Sequence, residues 1–161
     1  MTGEEKNIRL DRMRYTKNIV SSVLCYFAII FDVLYFVNIY ESDVGTWYYK
    51  LQIGSGIVYN LLFMLAVFLA SEGVKNYKKS YSVPLIILGA AQIARIFFVP
   101  LQAHGSVVKL SGAEAAVMGD AQFIRCIIYL TVSAVCLCAA AVINYRKCVA
   151  LKKYLETIGE R

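Results

Sequence analysis

Four apolar stretches, each long enough to cross a lipid bilayer, constrain this chain more than any other feature. A helix of about 20 residues rises about 30 Å, which is the thickness of the hydrocarbon core of a membrane. The stretches cover residues 19–40, 51–70, 83–101 and 123–145. We therefore expect an all-α polytopic membrane protein whose spans form an antiparallel four-helix transmembrane bundle.

The main alternative is a soluble four-helix bundle, in which each helix has one apolar and one charged face. Charged residues make up only 17% of this chain, compared with about 25% in soluble domains. The second apolar stretch carries no charged residue, and each of the other three carries one. This distribution leaves no charged helix face and favours the membrane.

Lysine and arginine are segregated along the chain. Residues 1–18 hold five, the 71–82 connection holds three and residues 146–161 hold five, whereas the 41–50 and 102–122 connections hold one each. Because cytoplasmic loops accumulate these residues, an N-in, C-in topology is expected. Topology thus explains the net charge of +6. Nucleic-acid binding is not expected, because it needs a basic face with stacking aromatics on a soluble module.

We expect three regions: a cytoplasmic basic helical segment at 1–18, a transmembrane domain at 19–145 and a cytoplasmic amphipathic helical tail at 146–161. The tail has apolar residues at helical spacing, namely Cys148, Leu151, Leu155 and Ile158. Such a stripe can lie on the membrane or dock on a partner helix, and both interpretations stay open.

The connection at 102–122 is longer than the other two and rich in small residues. Ser111 and Glu114 have capping-box spacing ahead of a short apolar run, which predicts a short helix at the membrane surface that ends near Gly119. After this helix, Asp120 would cap the fourth span. A loop without regular structure is the alternative to the short helix.

Three ionisable residues interrupt the spans: Asp32, Arg95 and Arg125. Each costs about 2.5–3.5 kcal/mol to insert, so such residues are usually paired or functional. The topology places all three in the outer half of the membrane, about 12, 9 and 3 Å below its surface at about 1.5 Å per residue. We therefore predict that they form one cluster.

Helical spacing directs further polar residues towards the same interior. In the first span, small and polar residues recur at steps of three and four around Asp32. Asn60 shares a face with Gly56 in the second span, and Gln92 shares one with Arg95 in the third. Such stripes face other helices rather than lipid. In the fourth span we expect the interior face to carry Gln122, Arg125, Tyr129, Cys136 and Ala140, with Arg125 near the mouth.

Two interpretations of this polar cluster stay open. In the structural one, Asp32 and Arg95 form a buried ion pair that fixes the helix register, and Arg125 reaches the lipid headgroups. In the binding one, Asp32, Asn60, Gln92, Arg95 and Arg125 form an outward-facing site of formal charge +1 for a small anion or an anionic headgroup. If Asp32 lacks a cationic partner, burial favours its protonated form, which suits proton-coupled transport.

No catalytic or cofactor motif stands out. The single histidine, His104, is expected to have no cysteine or carboxylate near it, and one histidine is too few for an ordinary zinc site. The chain has no HExxH motif and no P-loop. Cys136 and Cys138 would point to opposite helix faces, so the five cysteines are expected to be inert thiols. We expect neither enzymatic activity nor a cofactor.

These features favour a small integral membrane protein that acts as a non-catalytic accessory or assembly subunit of a membrane complex, such as a transport complex. Its partners would be membrane lipids and either another membrane protein or a second copy of the chain. The alternative is a small oligomeric transporter or channel for an anionic or proton-coupled solute. Since no eukaryotic targeting or glycosylation pattern stands out, we expect a prokaryotic cell membrane.

Overall fold

A computed structural model of the chain describes residues 17–39, 47–105, 107–110, 113–116 and 118–159. The basic helical segment expected within the first 18 residues therefore lies almost wholly outside the described part.

The described residues are mainly helical, and they include one antiparallel pair of short strands. The helices are α1 (Ile19–Ile39), α2 (Trp47–Lys75), α3 (Ser82–Phe98), α4 (Pro100–His104) and α5 (Asp120–Gly159). Within these residues, four segments are long and apolar enough to cross a membrane: Ile19–Ile39, Gly54–Lys75, Lys79–His104 and Asp120–Glu156. The prediction of a helical protein with four segments long and apolar enough to cross a membrane is confirmed.

The third span is broken near its end by Pro100. The helix α3 ends at Phe98, and α4 begins at Pro100 after the single residue Val99. Proline lacks the N–H that would continue the α3 hydrogen-bond ladder, but it fits the first turn of a new helix. The last residue of α4, His104, lies at the start of α5, where its imidazole stacks on Phe123 with ring centroids 4.4 Å apart.

Two short paired strands follow α4, so the short helix expected there is wrong. Strand β1 (Val107–Leu110) pairs antiparallel with β2 (Ala113–Ala116), and Leu110 lies opposite Ala113. A helix of one or two turns has few hydrogen bonds to offset its nucleation cost. Asp120 is the first residue of α5, whereas the prediction placed it one position earlier, as the residue that caps the N-terminus of the fourth span.

The bundle exposes an apolar surface and buries many polar side chains together with apolar ones, unlike a soluble protein. Many large apolar side chains on all four long helices are exposed, among them Val37, Leu62, Ile87 and Val135. The buried set includes asparagine, glutamine, serine and charged side chains. In a bilayer, lipid tails would solvate the outer apolar side chains, and the interior would supply hydrogen bonds that lipid cannot. This distribution supports immersion in a bilayer.

The helix α5 is the centre of the packing. It contacts α1 and α3 extensively, and α1 in turn packs on α2, whereas α2 and α3 touch only sparsely. One apolar cluster contains Cys25, Phe63, Val67, Leu85 and Leu137, and a second contains Tyr35, Met118, Cys126 and Leu130. The short connection at 71–82 predicts that the second and third spans are neighbours. The corresponding helices, α2 and α3, meet at that connection, but a groove separates them farther along.

The end of α2 is terminated by a backbone motif that brings α2 and α3 together. Lys78 N–H donates to Gly73 O and Tyr77 N–H donates to Val74 O, the two bonds of a Schellman motif. Tyr77 has a φ of 55°, a left-handed conformation in which glycine is usual. The Tyr81 ring, in the following 3₁₀ turn, then packs directly over Gly73.

Replacing Gly73 by alanine should destabilise this junction, because a Cβ there would lie 2.4 Å from Tyr81 Cδ2. We expect a loss of about 1–3 kcal/mol of unfolding free energy. The matched control is Gly54→Ala on the same helix, where an added Cβ meets no described atom within 4 Å; it should be neutral or stabilise by up to about 1 kcal/mol. Thermal unfolding in detergent compares the two, and equal stabilities would contradict the packing described.

Candidate functional site

The interior polar residues come from α1, α3 and α5. On α1, Asp32 belongs to a buried stripe that also contains Cys25, Ala28 and Tyr35. On α3, Gln92 and Arg95 belong to a buried stripe that also contains Gly89. Both stripes follow the predicted steps of three and four, so the prediction for these two helices is confirmed.

Asp32, Gln92, Arg95 and Ser133 form a hydrogen-bonded group that we call the Asp32 cluster. Arg95 Nη1 donates to Asp32 Oδ1 at 2.9 Å, and Gln92 Nε2 donates to the same oxygen at 2.8 Å. Asp32 is 0% exposed and Arg95 is 8% exposed. The predicted pairing of Asp32 with Arg95 is thus present as a buried, charge-assisted contact.

Ser133 ties the cluster to α5, and the sequence reasoning missed it. Its hydroxyl donates to the Ala28 carbonyl oxygen of α1 at 3.0 Å and lies 3.4 Å from Gln92 Nε2. The sequence signal for it is weak, because Ser133 is one of two small hydroxyl residues, with Thr131, in the fourth apolar stretch. Three helices therefore meet at one small polar group.

Two tyrosine rings contact the guanidinium of Arg95. Its Cζ lies 4.4 Å from the ring centroid of Tyr35 and 4.7 Å from that of Tyr59. Such cation–π contacts strengthen when the charge is removed from water. The rings come from α1 and α2, so Arg95 of α3 also links those two helices.

Some buried polar atoms near the cluster have no hydrogen-bond partner among the described residues. These are Asp32 Oδ2, Gln92 Oε1 and both polar side-chain atoms of Asn60. Asn60 is 2% exposed and follows Tyr59 in sequence, whose ring contacts Arg95. The structure therefore buries Asn60 as predicted, but gives it no bond to Asp32.

Arg125 is not brought into the cluster. Its side chain is exposed, and the adjacent residue, Cys126, is buried in its place. The buried face of α5 carries Cys126, Leu130, Ser133, Leu137, Ala140, Ala141 and Asn144. Of the residues predicted for this face, Ala140 is buried and Arg125 is exposed, and the others, namely Gln122, Tyr129 and Cys136, are half-buried. The predicted face is therefore displaced by up to about one residue, or about 100°. Without Arg125, the formal charge of the cluster is zero instead of the predicted +1.

A second polar network, which the sequence reasoning missed, joins the helices at the end of the bundle away from the Asp32 cluster. Asn144 Nδ2 donates to Ser82 Oγ at 2.9 Å and to the Lys78 carbonyl at 3.2 Å, and its Oδ1 accepts from Asn18 Nδ2 at 3.2 Å. Asn18 also donates to Ser21 Oγ. Because these bonds use both the donor and the acceptor of Asn144, the network is well suited to holding helices together.

A cavity of about 520 Å³ separates α2 from α3. We call it the α2–α3 groove; its walls include Ser55, Gly56 and Tyr59 of α2 and Ala91, Ala94 and Arg95 of α3. The residues that face each other across it are mostly small, so they leave space instead of interdigitating. Arg95 is therefore the one member of the Asp32 cluster that lines the groove.

The remaining candidates for chemistry are separate side chains. Within the described part of the chain, no three His, Cys, Asp or Glu side chains are grouped so as to hold a metal ion. The five cysteines are free thiols. His104 has a carboxylate neighbour, contrary to expectation, because its Nε2 lies 3.8 Å from Asp120 Oδ1.

Comparison of the chain with protein-family models, with curated proteins and with solved structures finds no match.

Proposed function

We propose that this protein is a non-catalytic accessory or assembly subunit of a complex in a prokaryotic cell membrane. Its work would be to present a rigid set of helices to another membrane protein or to a second copy of itself. The proposal rests on the properties of the buried cluster and of the last helix.

The observation that carries the proposal is that the Asp32 cluster is neutral and that its Asp32 and Gln92 side chains are fully buried. A transport site for an anion needs net positive charge and access, yet Asp32 and Gln92 are both 0% exposed. The carboxylate is already neutralised by Arg95 at 2.9 Å. A buried pair of this kind is best attested as a device for specifying helix register, since it adds little net stability.

The proposed orientation is an antiparallel bundle with both chain ends in the cytoplasm. Asn18 N–H donates to Lys75 O, and Asn144 donates to Ser82, which groups one end of each long helix. The basic residues Lys75, Lys78, Lys79, Arg146 and Lys147 belong to this same end. Positive residues favour the cytoplasmic side, so this end is proposed to face inwards.

The length of α5 supports a role in assembly. Its 40 residues give about 60 Å of helix, twice the thickness of the hydrocarbon core. The part beyond the membrane carries Leu155, which is 58% exposed. An exposed leucine on a helix projecting from the membrane supports contact with a partner helix.

A second candidate function is a small transporter for a proton-coupled solute. It is favoured by the buried Asp32 Oδ2, which has no hydrogen-bond partner among the described residues. An ionisable group at membrane depth is a typical part of a proton relay.

The two functions are separated by purification of the full chain in mild detergent, with variants on α5. If the assembly proposal holds, a partner in fixed stoichiometry is retained by the wild type and by Ala150→Asp. Leu155→Asp should weaken its retention by about tenfold or more, equivalent to about 1.4 kcal/mol. Retention by all three proteins would reject the proposed role of the projecting helix. A partner-free protein that moves protons across liposome membranes would establish the second candidate.

A further inference from the structure

The α2–α3 groove has the dimensions and composition of a small-molecule site. Its volume of about 520 Å³ lies within the range of about 300–1,000 Å³ typical of ligand pockets. Such pockets are mainly apolar with a few polar groups that orient the ligand. Here the walls are alanine, glycine, phenylalanine and valine, with Arg95, Tyr59 and Ser55 as the polar members.

The surroundings of the groove indicate that its occupant comes from the bilayer. Val58 on α2 and Phe97 on α3 are 57% and 61% exposed, and they belong to the apolar surface that faces lipid. Phe98 lines the groove itself and is also largely exposed. A molecule that reaches this space between two lipid-facing helices must itself be compatible with the hydrocarbon layer.

Arg95 provides the polar contact that the groove offers. A guanidinium has five N–H donors. Arg95 donates to Asp32 Oδ1 through Nη1 and also bonds to the Tyr35 side chain, which leaves further donors for an occupant. The residue is only 8% exposed, and it lines the groove. An occupant with an oxyanion would accept hydrogen bonds from the remaining donors in the bidentate geometry that guanidinium favours.

We propose that the α2–α3 groove binds one anionic membrane lipid. Its phosphate or carboxylate oxygens accept hydrogen bonds from Arg95, and its acyl chain lies against Ala91, Ala94 and Phe98. Arg95 Nη1 donates to Asp32 on the interior side. The lipid accepts hydrogen bonds from the guanidinium donors on the groove side. This inference is independent of the proposed assembly function.

A partner helix is the competing occupant, because small residues also permit helices to approach closely. The donors of Arg95 that Asp32 and Tyr35 do not use favour the lipid. A helix satisfies its own backbone carbonyls internally, so it would need an acidic side chain at a matching depth. A lipid headgroup carries its oxyanion by nature and needs only to reach Arg95 along the groove.

The test uses the delipidated full-length protein, titrated with phosphatidylglycerol or with phosphatidylcholine of the same acyl chains. Native mass spectrometry reports bound lipid, and thermal unfolding reports the stabilisation that ligand binding produces. One phosphatidylglycerol should bind at least about tenfold more tightly than phosphatidylcholine. Inorganic phosphate alone should neither bind nor stabilise, because it lacks the acyl chain.

Two matched pairs of variants locate the site. Ala94→Phe fills the groove and should weaken phosphatidylglycerol binding by about tenfold or more. Ala90→Phe, one turn away on the same exposed side of α3 but outside the groove, should not. Arg95→Lys keeps the charge but loses the planar fork and should reduce the preference for phosphatidylglycerol. Arg125→Gln, at an exposed arginine, should leave it unchanged.

The outcomes decide the proposal. Equal binding of the two lipids, or equal effects of Ala94→Phe and Ala90→Phe, would overturn it. Stabilisation by inorganic phosphate alone would show an anion site without a lipid. Loss of a stoichiometric protein partner in Ala94→Phe, with lipid binding intact, would assign the groove to a partner helix.

Discussion

Arg95→Gln should destabilise the protein by about 3–5 kcal/mol, because it leaves the Asp32 carboxylate buried without its counter-charge. The 2.9 Å contact and the 0% exposure of Asp32 mean that neither water nor another described cation replaces the guanidinium. The loss of contact with the rings of Tyr35 and Tyr59 adds to the effect. Thermal or denaturant unfolding in detergent measures the change.

Three further variants isolate the pair. Arg125→Gln is the matched control and should change stability by less than about 0.5 kcal/mol, because Arg125 is exposed. Asp32→Asn combined with Arg95→Gln should be less destabilised than the sum of the single variants, with a coupling of about 0.5–3 kcal/mol. If Arg95→Gln behaves like Arg125→Gln, the buried pair contributes nothing to the fold.

Asn144→Leu should also have a large effect, a loss of about 2 kcal/mol of unfolding free energy. Asn144 joins Asn18, Ser82 and the Lys78 carbonyl, and hydrogen bonds between membrane helices average about 0.6 kcal/mol each. The leucine also leaves the remaining polar groups without partners in the interior. The measurement is again unfolding in detergent, with helix content followed by circular dichroism.

The contrasting substitution is Asn60→Leu. Asn60 is as deeply buried, but neither of its polar side-chain atoms has a partner within the described residues. Removal of an unsatisfied amide should be neutral or stabilise by up to about 1 kcal/mol. If Asn60→Leu destabilises as much as Asn144→Leu, then Asn60 has a bound partner in the membrane, and the binding interpretation of the cluster gains support.

The interior faces of α1 and α3 were predictable because each is marked by one charged residue and by small residues around it. Asp32 lies in register with Cys25 and Ala28, and Arg95 lies in register with Gly89. A charge is costly in lipid, so it identifies the inward face by itself. The partners Asp32, Gln92 and Arg95 follow from that rule.

The face of α5 was mispredicted by the same rule. Arg125 suggested the inward face, but it lies near the end of the membrane span, where a long side chain can reach the headgroups. The buried face instead carries Cys126, Leu130, Ser133 and Leu137. A helix that is apolar on all sides has no strong periodicity to reveal which face is buried.

Sequence alone determined that the chain has four segments long and apolar enough to cross a membrane and that Asp32 meets Arg95, because the transfer of a side chain into lipid is a property of that residue and its neighbours along the helix. Only the tertiary structure decided the rotation of α5, the exclusion of Arg125, the Asn144 network and the α2–α3 groove. Lipid tails are as apolar as leucine, so hydrophobicity does not distinguish a lipid-facing from a helix-facing surface. That choice depends on how the side chains of different helices fit together.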